Sequence, residues 1–370
     1  MTPDRTPDRT GDPTGPVVQA TAYWTIAPGR GELRRQPLSP PGPGEALVRT
    51  RHSGISRGTE LLVHRGGVPA AVATQMRAPF QEGDLPGPVK YGYLSVGTVQ
   101  AVGAQSAAPA AELVGRTVFC LYPHQDWYVV PVGALTVVPD DVPAARAVLA
   151  GTVETAVNAI WDAGPRLGDR VAVIGAGMVG CAVAAVLRSF PLQRLELVDV
   201  DARRGPVAAA LGIRLVTPAE AAGGCDLVVH CSATGAGLSR GLELLGDEGE
   251  VLELSWYGDQ PVTVNLGAQF HARRLSIRAS QVGAIAAARR ARRSHAERLA
   301  LAMDLLRDPV FDVLISDHRG FAQLPRTMRE LAAGELDGMC HVMDYDEKPV
   351  SAQPQVQEDR CTTSPSVATR

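Results

Sequence analysis

Apolar and polar positions change their period part-way along the chain. From Val17 to about Pro139 the apolar residues come in short alternating runs, VVQATAYWTI, EALVRT, KYGYLSVGTVQAVG, RTVFCLYP and DWYVVPVGALTVV. Alternation of period two between Gly- and Pro-rich turns predicts a β-rich domain. The stretch from Leu61 to Val89 carries Gly66, Gly67, Pro69, Pro79, Gly83, Pro86, Gly87 and Pro88, and reads as loop. Helical spacing takes over at AARAVLAGTVETAVNAIWDAG. Continuous apolar runs follow, VAVIG, LELVDV, IRLV, DLVVHCS and EVLELSW, with helical stretches such as CAVAAVLRSF and LSRGLELL among them. Strands alternating with helices predict a parallel sheet covered on both faces. PVTVNL and HARRLSIRAS read as two further strand-like pieces. From Ala284 the chain reads as a basic helix, AIAAARRARRSHAERLALAMDLL, then FDVLISDHRG, a helix LPRTMRELAAG and a last strand around MCHVMDY. Residues 1–16 and 347–370 are polar and Pro-rich and are expected to be disordered tails.

The sharpest local signal is VAVIGAGMVG, residues 171–180, in which Gly175, Gly177 and Gly180 follow an apolar strand as G-x-G-x-x-G. The first glycine permits the turn, and the second lets backbone N–H groups approach a pyrophosphate. The third lets helix and strand pack closely, and the helix N-terminus at Met178 and Val179 supplies partial positive charge. The next strand ends at Asp199, nineteen residues after Gly180. A carboxylate there accepts from both ribose hydroxyls and repels a 2′-phosphate, so the expected cofactor is NAD. Asp201 is the alternative ribose partner. Arg203 and Arg204 share the loop and could stack on adenine, hold a phosphate or stay solvated.

Composition narrows the class. A net charge of −3 argues against a nucleic-acid partner. No apolar run reaches the roughly 18 residues a membrane span needs. The first residues lack the apolar centre of a secretory signal, so the expected location is cytoplasmic. Six scattered cysteines form no C-x-x-C pair, and read as buried thiols. Basic residues number 36, yet two alone are lysines, Lys90 and Lys348.

Over residues 17–346 the chain resembles the medium-chain dehydrogenase/reductase family. SGISRGTE (53–60), GYLSVGTVQAVG (92–103), GTVETAVNAI (151–160) and PxxFDVLIS with its following helix carry the resemblance. It implies an α/β fold: a Rossmann doubly wound parallel sheet at 152–283, plus a GroES-like β-rich catalytic domain formed by 17–151 and 284–346. It also implies a homodimer acting on a small molecule, with Arg57 reaching the pyrophosphate and Thr155 lying near the nicotinamide. Zinc members of the family hold their metal with a cysteine, a histidine and a third ligand. Ser56, Tyr93 and Gly151 stand there, and Leu94 replaces the glutamate after the histidine. Serine, tyrosine and glycine do not make a zinc site, so no metal is expected. The four-cysteine structural lobe is also missing. SGISRGTE with KYGY resembles the zinc-free branch containing bacteriochlorophyllide hydroxyethyl dehydrogenases, together with dehydrogenases of specialised metabolism. The match is local, and no chlorin substrate follows from it.

Without metal, a side chain must handle the proton of the reacting alcohol. Tyr93 could donate to a carbonyl oxygen, with Lys90 as a neighbouring cation that lowers its pKa if the backbone bends between them. Glu60 could act as base or be held in an ion pair with Arg57. Glu154 could face the cleft, and Ser56 and Thr59 could relay a proton. His52 and His64 read as packing or surface residues. Arg289, Arg290, Arg292 and Arg293 could bind an anionic group at the cleft or form a solvated face. These readings give a zinc-independent, NAD-dependent enzyme interconverting a secondary alcohol and a ketone. The alternatives are a C=C reductase of the quinone or enoyl type, and a dinucleotide-binding protein without activity.

Overall fold

The computed structural model describes residues 18–104 and 108–345. Both predicted tails lie outside the described residues. The first strand, Val18–Ala27, turns at Gly29 (φ +73°) and returns as Arg30–Leu38 in antiparallel register, Val18 opposite Leu38. Val89–Lys90 and Glu82–Gly83 extend this pair to four strands.

A second, seven-stranded sheet forms the centre of the β-rich region. Glu45–Gly54 pairs antiparallel with Ser95–Val102 on one side, and with Trp127–Pro131 and Cys340–Asp344 on the other partners its ends reach. Val48, Val96, Val99, Val118, Phe119 and Tyr128 are all fully buried. Each side chain of that size contributes roughly 1.5–3 kcal/mol on burial. The chain leaves this region for the middle of the molecule and comes back with Ile315–Gly320 and Cys340–Asp344, which are parallel to each other.

Between these two passes lies a six-stranded parallel sheet. Its spatial order is Arg214–Val216, Arg194–Val198, Arg170–Ile174, Cys225–His230, Leu245–Glu253 and Ser276–Ala279. Numbered in chain order this is 3-2-1-4-5-6, the doubly wound Rossmann order, with the reversal beside Arg170–Ile174. Its central strands, Arg170–Ile174, Arg194–Val198 and Cys225–His230, are largely apolar because helices cover both faces, whereas the edge strand Ser276–Ala279 is exposed. Met178–Leu187 packs against Ala150–Ala163, and Cys181, Val183, Ala184 and Leu187 are fully buried there.

Three local expectations are corrected. The run from Ala284 to Ser294 is turns rather than helix. The helix His295–Leu305 starts where Ser294 and Glu297 form a capping box, and before it Ala286 is the one buried residue of 284–294, so no apolar face exists to hold a helix. PVTVNL (261–266) forms no ladder; Val262 and Val264 instead pack onto the sheet core from an irregular segment. The supposed loop after Leu61 begins as the second half of a helix, Arg57–His64, whose Leu61 and Val63 are buried. Helix His295–Leu305 lies along Ala150–Ala163, so this part of the returning chain sits with the Rossmann layer.

Candidate active site

A cleft of about 450 Å³ opens at the reversal point of the parallel sheet. Gly175, Gly177, Asp199, Asp201, Arg203 and Arg204 line it from the Rossmann side, and Arg57 and Asp337 from the β-rich side. Gly175 has φ +101°, and a Cβ there would meet Ser232 N at 2.8 Å. A Cβ on Gly180 would lie 1.9 Å from Gly175 O, so this glycine allows helix and strand to touch. Gly177, at the helix N-cap, faces open space with no atom within 4 Å. The three glycines thus divide their work as the spacing predicts, and the open side of Gly177 is room for a pyrophosphate. Met178 is buried in the core and its sulfur accepts from Thr152 Oγ1 at 3.7 Å; Val179, half-buried, packs against that core.

Asp199 ends the second Rossmann strand with Oδ2 accepting from Ala176 N–H at 2.6 Å and Oδ1 from Asp201 N–H at 2.8 Å. This fixes the carboxylate against the glycine turn. Asp201 is engaged differently: its carboxylate accepts from Arg203 N–H and Nε at 3.0 and 2.8 Å, and these bonds hold it below the usual carboxylate range. Asp337 collects three guanidiniums: Arg57 at 3.2 Å, Arg204 at 2.7 Å and Arg203 at 3.5 Å. Arg57 and Arg204 therefore reach the cleft from opposite sides.

Beside Arg57 the chain carries a second cluster. Ser56 precedes the helix Arg57–His64, and its Oγ accepts from the Tyr93 hydroxyl at 2.6 Å. Glu60, buried, accepts from Ser56 N–H at 2.8 Å through one oxygen and faces His124 Nε2 at 2.8 Å through the other. His124 Nδ1 meets Ser53 Oγ at 2.6 Å, and Ser53 Oγ meets Tyr345 OH at 2.9 Å. Gly92 makes this approach possible: its φ is +127°, and a Cβ would strike the His124 ring at 2.8 Å. Burial, helped by the negative charge of Glu60, pushes the Tyr93 phenol up to about 12. Tyr93 is thus a neutral hydrogen-bond donor over the ordinary pH range.

Several expected partners are corrected here. Lys90 does not reach Tyr93. It is fully buried, bonded to Glu82 and to Gln125 Oε1 at 2.6 Å, with its ammonium over the Tyr122 ring. No cation is among the groups that act on the Tyr93 phenol. Glu60 is paired with His124 and not with Arg57. Glu154 does not face the cleft: it lies against fully buried Arg298 at 3.0 Å, which also donates to Asn158 Oδ1 at 2.6 Å and to Val282 O. Thr155, half-buried, donates its hydroxyl to Gly151 O at 3.0 Å. The arginine run is exposed, and Arg289 lines a separate apolar cavity of about 300 Å³ with Trp161, Phe190 and Leu305. His64 packs inside, its Nδ1 3.2 Å from Tyr23 OH. Residues missed from sequence are His124, Ser53, Tyr345 and Asp337; none carries a spacing that ties it to Glu60 or Arg57.

No family model matches the chain. It is 23% identical to the sorbitol dehydrogenase of Pongo abelii over 285 residues, which are 65% of this chain and 76% of that one. Its structure is similar to 2R,3R-butanediol dehydrogenase from Bacillus subtilis (TM-score 0.71, 15% identity, covering 88% of this chain and 100% of that one). It is also similar to acetophenone reductase from Geotrichum candidum in complex with NAD (TM-score 0.72, 18% identity, covering 90% and 99%). This is the medium-chain dehydrogenase fold. By the sequence resemblance Ser56, Tyr93 and Gly151 stand where zinc dehydrogenases place their catalytic metal, and this donor set does not fit one. The two hydroxyls are bonded to each other. Gly151 offers no ligand, and a Cβ there would meet Leu94 Cδ2 at 2.7 Å. Leu94, fully buried, fills the space beside them. The nearest thiol, Cys340, is held protonated by burial, its pKa pushed up to about 12. A borderline cation prefers thiolate and imidazole to this set.

Proposed function

We propose that this protein is an NAD(H)-dependent oxidoreductase that interconverts a secondary alcohol and a ketone on a polar small molecule, without catalytic zinc. The observation that carries the reading is the Tyr93–Ser56 pair, 2.6 Å apart, at the family's metal position and one residue from Arg57 of the dinucleotide cleft. The glycine turn, Asp199, Arg57 and Arg204 are the residues that would hold the dinucleotide, whose nicotinamide supplies or accepts hydride when bound. Asp199 supports NAD over NADP, because a fixed carboxylate at the ribose repels a 2′-phosphate.

The protein's own residues then handle the substrate oxygen. Tyr93, neutral and half-buried, donates a hydrogen bond to a carbonyl oxygen and polarises it, with Ser56 as the second hydroxyl of the pair. In reduction the phenol proton passes to the alkoxide left by hydride addition and the phenolate is reprotonated from solvent; in oxidation that phenolate is the base that takes the alcohol proton, with Ser56 as its hydrogen-bond partner. Glu60 orients this pair by fixing the Ser56 backbone, and His124 holds Glu60. Glu60 is therefore a positioning residue, since both its oxygens are already engaged.

The test is NADH oxidation against a panel of polar ketones, using tag-free protein treated with chelator. Turnover of at least one ketone to its alcohol is expected, and replacing Tyr93 by Phe slows it by roughly 100-fold with NADH affinity unchanged. Saturation of a C=C bond instead of carbonyl reduction would favour the enoyl-type reading. Tight NADH binding with no turnover of any class would favour a non-enzymatic one.

A further inference from the structure

Three strands of the seven-stranded sheet, Ile315–Gly320, Cys340–Asp344 and Glu45–Gly54, lie side by side in that order. Each brings one metal-ligating residue to the same face. Asp344 stands directly opposite His52 in the antiparallel ladder. His318 stands opposite Val342, two residues before Asp344, and so is a diagonal neighbour of Asp344 on that face. His52 Nδ1 is 2.7 Å from Asp344 Oδ1, and His318 Nδ1 is 3.2 and 3.1 Å from its two oxygens. The three ligand atoms all lie within 4.8 Å of one another. Among the described residues this is the one His, Cys, Asp or Glu group that meets this criterion.

We propose that His52, His318 and Asp344 bind a divalent late transition metal ion of the Zn²⁺, Co²⁺ or Ni²⁺ class. Two imidazoles and one carboxylate suit these ions, whereas Ca²⁺ and Mg²⁺ prefer all-oxygen sets. A tetrahedral ion with bonds of about 2.1 Å holds its ligand atoms about 3.4 Å apart. The His318 separations, 3.2 and 3.1 Å, lie close to that; binding requires the 2.7 Å His52–Asp344 contact to open and the two nitrogens, within 4.8 Å of each other, to settle at the same spacing. Without the ion each Nδ1 carries the proton that Asp344 accepts; binding moves that proton to Nε2, so the ion displaces two hydrogen bonds and, from neutral imidazoles, no net proton. Among the described residues no guanidinium forms an ion pair with Asp344: Arg319, beside His318, is held by Asp317 and Glu330, and Arg51, beside His52, acts on that imidazole by charge. The side chains are 19%, 46% and 31% exposed for His52, His318 and Asp344, which leaves water a path to complete the coordination.

Such an ion would be a structural clip. It would join the returning C-terminal strands to the first half of the chain. It lies on the other face of Glu45–Gly54 from Ser53, so it takes no part in the hydroxyl cluster that Ser53 helps to hold.

Titration of tag-free, chelator-treated protein with Co²⁺, followed by ligand-field absorption, tests this. One ion per chain is expected, displaced by Zn²⁺, with a rise in thermal midpoint on binding. His318→Ala and Asp344→Asn each weaken binding by at least roughly 10-fold, while His271→Ala, outside the cluster, leaves it unchanged. Far-UV circular dichroism confirms that the variants are folded, and the mildest of them, at the exposed sheet edge, is His318→Ala. Absence of saturable 1:1 binding, or binding that survives both ligand substitutions, overturns the proposal.

Discussion

The two halves of this molecule present their chemistry by different means. In the Rossmann half the groups assigned to the dinucleotide lie within residues 175–204, and the chemistry is largely backbone: three glycines, a helix N-terminus and a carboxylate just after the next strand. In the β-rich half the groups come from far apart in sequence. Tyr93 and Ser56 are 37 residues apart, His124 and Glu60 are 64, and Ser53 and Tyr345 are 292. The first arrangement is local and tolerates little change of shape. The second depends on side chains whose partners are set by strand pairing, and it can exchange one kind of chemistry for another while the fold stays. The proposed replacement of a metal set by a hydroxyl pair would be such an exchange.

Substitutions can break this contrast. The largest effect is expected in the glycine turn. Gly180→Val drives a side chain into Gly175 O and should cost about 4 kcal/mol or more in denaturant unfolding. Gly177→Ala meets no atom, so it should fold normally and weaken NADH binding by roughly 10-fold, read by fluorescence titration. Equal stability losses at the two positions would remove the division of labour. Next is His124→Leu, which leaves Glu60 buried without its partner and should cost about 3 kcal/mol; a neutral result would show that the pair carries no weight. A smaller change is expected for Asp199→Asn, which keeps an acceptor and removes the charge. The ratio of NADPH to NADH affinity should rise by about 10-fold, or 1.4 kcal/mol. Smallest is the pH effect of Tyr93. Its folded pKa, about 12, lies above the unfolded value near 10. The stability it contributes is full below pH 10 and is lost as pH rises towards 12. Tyr93→Phe should therefore flatten the alkaline loss of stability in that window.

The same contrast explains what was legible in sequence. The glycine spacing, the acid at Asp199 and the alternation of strands and helices are local signals, and each appears in the structure where the spacing puts it. Lys90 beside Tyr93 was a local inference about a non-local site. It fails because Glu82 and Gln125 hold the buried ammonium. Glu154 fails for a related reason: Arg298, 144 residues on, closes over it. His124 and Asp337 were invisible because nothing in the chain marks which strand end or loop comes to rest against Glu60 or Arg57.

The central claim is that a hydroxyl pair performs, without metal, the polarisation that zinc provides elsewhere in this fold. Single-turnover hydride transfer from NADH, to the polar ketone reduced fastest, tests it most directly in chelator-treated protein. Wild type should transfer at the same rate before and after chelation, and Tyr93→Phe should be slower by roughly 100-fold, about 2.7 kcal/mol on the barrier. Loss of transfer on chelation with recovery on adding Zn²⁺, or an unchanged rate in Tyr93→Phe, would contradict it.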